Sequence, residues 1–95
     1  MDKNQRKKAL FAAESKGRGF TVKLVGRGEQ LRHFDGHRSI ECEVMWEPVQ
    51  VTVYAQTLAV MGAAPAILAE FERQRVLNQI KAWLTEQGKI VVVKA

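Results

Sequence analysis

The sequence predicts an α+β fold: an antiparallel sheet of four to five strands, a basic N-terminal helix and one long C-terminal helix packed on one face. Three observations point there. Short runs alternate apolar and polar residues at the two-residue period of a strand. Two of these runs, within LRHFDGHRSIECEVMW (Leu31 to Trp46), are joined by Asp35-Gly36, the dipeptide that most favours a two-residue hairpin turn. The stretch from Ala66 to Gln87 is rich in helix formers and free of Gly and Pro, with Gly88 placed to stop it.

Taken in order, residues 3 to 16 (KNQRKKALFAAESK) read as the first helix, with Asp2 as its cap and Gly17 at its end. Its apolar residues cluster in the second half, so the first turns form a solvated basic arm anchored by Leu10 and Phe11. Phe20 to Val25 alternates as a strand, with Phe20, Val22 and Leu24 on one face, and the loop Gly26-Arg27-Gly28-Glu29 returns it into the central hairpin. A two-residue turn would set Phe34 opposite His37, His33 opposite Arg38 and Leu31 opposite Ile40. Leu31, Ile40, Cys42, Val44 and Trp46 would then share an apolar face, and Arg32, Ser39, Glu41 and Glu43 the other. Pro48 marks an edge or a break. Val49 to Tyr54 alternates as a strand on pattern, but over residues 49–62 strand and short helix both stay open. In the long helix Val76, Leu77, Ile80, Trp83 and Leu84 fall within one arc of about 120° at 100° per residue, whereas Phe71 points about 180° from Ile80, and Ile67 and Leu68 side with Phe71. Either the helix bends near Glu72 to Arg75, or this second apolar face needs a partner. KIVVVKA closes the chain as a strand.

Ninety-five residues suffice for one domain, 1–95, and no apolar run approaches the ~20 residues of a membrane span. No signal-type apolar core follows MDKNQRKKAL, and the single cysteine, Cys42, forms no internal disulfide, so a reducing cytoplasm is expected. The net charge of +5 is uneven. Residues 1 to 38 carry ten Lys or Arg against four acids, the remainder five against six.

The hairpin FDGHRSIECEV, the segment Phe71-Glu72-Arg73-Gln74-Arg75 and the terminal Gly88-Lys89-Ile90-Val91-Val92 together resemble the YrdB-like family of small bacterial proteins, over about residues 30 to 94. The resemblance implies an α+β domain with an antiparallel sheet and helices on one face. It implies no activity, because that family has none to carry over.

His33, Asp35, His37 and Cys42 have metal-ligand side chains, but the turn sends the two histidines to different strands and faces, so no metal is expected. Cys42, mid-strand on the apolar face, reads as a core residue rather than a nucleophile. Glu41 and Glu43 share a strand face about 7 Å apart and read as solvated glutamates, with Arg32 diagonal to Glu41. The glycine-flanked Arg18 and Arg27 lack the spacing of a Walker or dinucleotide loop. No cofactor and no catalytic constellation is predicted, so the chain is expected not to be an enzyme.

Two function classes follow. The first is non-sequence-specific binding to the phosphate backbone of DNA or RNA by Lys3, Arg6, Lys7, Lys8, Lys16, Arg18 and Arg27. The second is a protein-interaction or regulatory module, a homodimer among the options, using Ile67, Leu68 and Phe71.

Overall fold

In a computed structural model, residues 3–62 and 68–95 are described, without the side chains of residues 3, 4, 7–9 and 12. The order is α1 (Lys3–Ser15), β1 (Thr21–Val25), β2 (Gln30–Phe34), β3 (Ser39–Trp46), β4 (Gln50–Tyr54), a 3-10 turn (Ala55–Thr57), β5 (Ala59–Val60), α2 (Glu70–Glu86) and β6 (Ile90–Lys94). The strands form one sheet in the order β1-β2-β3-β4-β6, with β5 beside the start of β3.

The sheet is mixed rather than antiparallel. Strands β1 to β4 pair antiparallel, but β6 lies parallel to β4, Val51 opposite Val91 and Val53 opposite Val93. The cause is connectivity: α2 carries the chain back along the sheet, so the strand after it enters in the direction of β4. With β5 the strands number six, one more than the upper expectation, because residues 49–62 are split. Strand β4 leaves β3 after Tyr54, and the 3-10 turn carries the chain to β5, where Val60 faces Ile40. The backbone N–H of Glu43 donates to Thr57 Oγ1 (2.7 Å), whose hydroxyl donates to Tyr54 O (2.6 Å). One hydroxyl thus satisfies a backbone donor and closes the turn.

The β2–β3 connection is longer than a two-residue turn. Phe34 faces Ser39, His33 faces Ile40, Arg32 faces Glu41 and Leu31 faces Cys42. Asp35 accounts for the difference: its Oδ1 accepts from the backbone N–H of His37 (2.9 Å) and of Arg38 (2.8 Å), so the side chain organises a four-residue loop. Gly36 sits at φ +93°, and a Cβ there would meet the Phe11 ring at 3.2 Å, so both conformation and space call for glycine. The register moves by two residues, which preserves every face assignment.

Helix α2 begins at Glu70, four residues later than the composition suggests, since Ala69 is extended (φ −60°, ψ 149°). Leu68 therefore precedes the helix and is buried without obeying its phase, which removes Leu68 from the expected conflict. Phe71 remains on α2, 73% exposed. Ile67 lies outside the described residues. At the other end Gly88 N–H donates to Thr85 O and Lys89 N–H to Leu84 O, both at 3.0 Å, the glycine-terminated stop anticipated from the sequence. Val76, Leu77, Ile80 and Leu84 of α2 pack against Val22, Leu31, Ile40, Cys42, Val44, Val51 and Val53 of the sheet. Each such side chain contributes about 1.5–3 kcal/mol relative to exposure. Among the described residues α2 is the helix that covers this inner face, with Leu58 and Leu68 also in the core; Phe11 of α1 instead meets Phe34 of the outer face, ring centroids 5.3 Å apart and edge-on.

Candidate nucleic-acid interface

Alternation along the strands places one side chain in two on the outer face, and the observed register arranges these in rows across the sheet. Thr21, Phe34 and Ser39 form one row; Lys23, Arg32 and Glu41 the next; Val25, Gln30 and Glu43 the third. Lys23 stands directly opposite Arg32, a like-charge pair that destabilises an antiparallel ladder unless an anion relieves it. Glu41 supplies part of that relief: its Oε2 accepts from Arg32 Nε (2.7 Å) and Nη2 (2.5 Å). The Nη1 group of Arg32 lies outside this pair, and Lys23 is exposed and has no ion pair among the described residues.

Two depressions adjoin this face. One, of about 300 Å³, lies where α1 approaches the sheet and is lined by Glu14, Thr21, Lys23, Arg32, Phe34 and Ser39. The other, of about 750 Å³, opens beside the hairpin loop and β5, among Arg32, His37, Arg38, Ser39, Val60 and Met61. They share Arg32 and Ser39 and together form a trough from α1 across β2 and β3, whose second half turns past the end of the sheet, where Val60 stands opposite inner-facing Ile40 and packs against the core. Arg38, on its wall, also reaches Glu72 in the first turn of α2 and ties the loop to that helix.

The cations expected from the sequence to bind phosphate are dispersed. Arg6 and Lys16 are exposed on α1 and just after it. Arg27 is exposed in the β1–β2 turn, at the opposite end of β1 from Arg18. Arg18 is committed within the protein: Nη1 pairs with Glu86, Nε donates to Ser15 O (3.2 Å), and the guanidinium lies 5.7 Å from the Phe20 ring centre. The side chains of Lys3, Lys7 and Lys8 lie outside the described residues. The trough instead gathers Lys23, Arg32 and Arg38, with His37 beside them, none of which was expected from the sequence to bind phosphate. Their signal was available: Lys23 and Arg32 occupy the polar positions of adjacent alternating strands.

The groups weighed for metal or nucleophilic chemistry are separated. His33 is 1% exposed on the inner face, where its Nε2–H donates to Gln79 Oε1 of α2 (2.6 Å) and its ring stacks on Phe20 at 5.6 Å. Its Nδ1 is buried without a partner. Burial, with Arg75 nearby, holds the imidazole pKa below its ordinary value despite the opposing effects of Gln79 and Asp35. His37 sits exposed in the loop. Burial opposes ionisation of Asp35, but the N–H groups of Arg38 and His37, with His33 and Arg38 nearby, outweigh it and lower its pKa. Burial pushes the Cys42 thiol up to about 11, the setting of an inert core cysteine. Among the described residues no three His, Cys, Asp or Glu converge as metal ligands, and no helix is long and apolar enough to cross a membrane.

No protein-family model matches the chain, and the searches of curated proteins and of solved structures find no match.

Proposed function

We propose that this chain binds the phosphate backbone of nucleic acid along the outer-face trough, without reading sequence. The observation that carries the reading is the meeting of two depressions on Arg32 and Ser39, with Lys23, His37 and Arg38 on their walls. A groove lined with cations concentrates a polyanion, and each phosphate neutralised releases counterions. Arg6, Lys16 and Arg27, and with them Lys3, Lys7 and Lys8, extend the positive surface in this reading, while Arg18 serves the fold. In this reading the role is non-enzymatic and cytoplasmic, in a domain whose hairpin and Phe71 to Arg75 segment resemble the YrdB-like family.

The test is affinity for mixed-sequence oligonucleotides as a function of salt. Affinity falls steeply as salt rises, and Lys23→Ala weakens binding uniformly across sequences and lowers the salt slope by about 1. A slope near zero, or one unchanged in Lys23→Ala, refutes the proposal.

Phe71 favours a second reading, in which α2 engages a second copy or another protein, because an aromatic ring 73% exposed on a packed helix is unsupported by its own fold. Solution mass measured for the wild type and for Phe71→Glu separates the two: a dimer that becomes a folded monomer favours α2 as an interface.

A further inference from the structure

We infer that the trough is built for a single strand rather than a duplex, an inference that rests on the backbone-binding reading above. The argument turns on what lies between the cations. Phosphates need only charge and N–H donors, yet the trough also presents the half-buried ring of Phe34 in one depression and the exposed Met61 in the other. Apolar groups among cations suit a ligand that alternates charge with flat apolar faces. A single strand offers both, because its bases unstack and expose their faces; a duplex keeps those faces inside the stack and presents a convex rod of phosphates and groove edges.

The shape agrees. The depressions lie against the sheet and its hairpin loop instead of on a projecting helix or ribbon of the kind that enters a duplex groove. Polar chemistry divides the work further. Glu14 repels phosphate but accepts hydrogen bonds from the exocyclic amino group of a base, and the hydroxyls of Thr21 and Ser39 serve either partner. In this arrangement a base enters beside Phe34 at the α1 end. The backbone then crosses Lys23 and Arg32 and continues toward Arg38 and His37, where Met61, exposed beyond β5, contacts the next base.

The experiment compares one labelled oligonucleotide of about 12 nucleotides, within the ~4–16 that a small single-strand binder covers, with its duplex at the same low salt. Fluorescence anisotropy is expected to show the single strand bound about tenfold more tightly. Phe34→Leu, which keeps an apolar contact for Phe11, lowers single-strand affinity about fivefold or more and leaves duplex affinity unchanged, with circular dichroism confirming the fold. Should Phe34→Leu lose its fold, Met61→Ser, in an exposed position, is expected to move single-strand affinity in the same direction. Equal or tighter duplex binding overturns this inference and leaves the backbone reading standing, as does unchanged single-strand affinity in a folded variant. Absence of binding to either form at low salt removes both.

Discussion

Along β2, Leu31 and His33 point toward α2 while Arg32 and Phe34 point away, and the two faces obey different rules. On the inner face side chains have no alternative neighbour: Leu31, Ile40, Val51 and Ile80 are at most 1% exposed, so volume and polarity are fixed together. On the outer face Lys23, Glu43 and Met45 stand in solvent, and the fold accepts almost any polar residue there. A face that stability leaves unconstrained is where a surface function can be written without disturbing the core. Thr52 marks the boundary. It points outward with Met45 and Val92, its partners on β3 and β6, yet is only 4% exposed.

The largest expected difference between the faces is in stability. Ile80→Ala, which empties a site under the centre of the sheet, is expected to cost about 2–5 kcal/mol, whereas Lys23→Ala changes unfolding free energy by less than about 0.5 kcal/mol. Urea denaturation of both variants checks this; similar losses would erase the distinction between faces.

A smaller effect sharpens it. His33 is the polar exception on the inner face, with a pKa held below the ordinary imidazole value of 6.5 because of its burial. The unfolded chain therefore binds a proton that the folded chain refuses. The corresponding stability is complete above pH ~6.5 and is lost as pH falls from there through the lower folded pKa. Thermal melts of the wild type from neutral to mildly acid pH should show a falling Tm, and His33→Leu should flatten that part of the curve. An unchanged slope would mean that another group carries it. Asp35 acts in the same direction but in a lower window, since its carboxyl pKa is depressed from 3.8.

The smallest effect belongs to α2's solvent side. Phe71→Ala should alter stability by less than about 0.5 kcal/mol, because the ring is exposed rather than packed. A loss of several kcal/mol in a concentration-dependent melt would show that the ring is buried between copies.

How much of this was legible in the sequence depends on the range of the forces involved. The face assignments of β1 to β3 follow from two-residue alternation, a local property, and survive the error in register because that error is two residues. The loop was misjudged because Asp35-Gly36 suggests a turn closed by backbone alone, while the Asp35 carboxylate takes two further N–H groups. Helix propensity across Ile67 to Ala69 concealed an extended Ala69, where the chain places Leu68 in the core before α2 starts. The parallel entry of β6 is set by what lies between it and β4, which no pattern within either strand records. The trough was legible only in part: Lys23 and Arg32 hold polar positions of adjacent alternating strands, but Arg38 and Met61 come from other segments that only the sheet brings beside them.

Cys42 offers one last consequence. The only cysteine in the chain, it is seated on β3 between Ile40 and Val44 and opposite Leu31, and the residue is 2% exposed. A thiol reagent can reach it only after β3 and its covering side chains have parted, so the labelling rate counts openings of the sheet's central strand. When reclosing outpaces labelling, the rate relative to an exposed thiol reports the free energy of that opening. The protein carries its own clock for local unfolding, set in the one strand that holds both halves of the sheet.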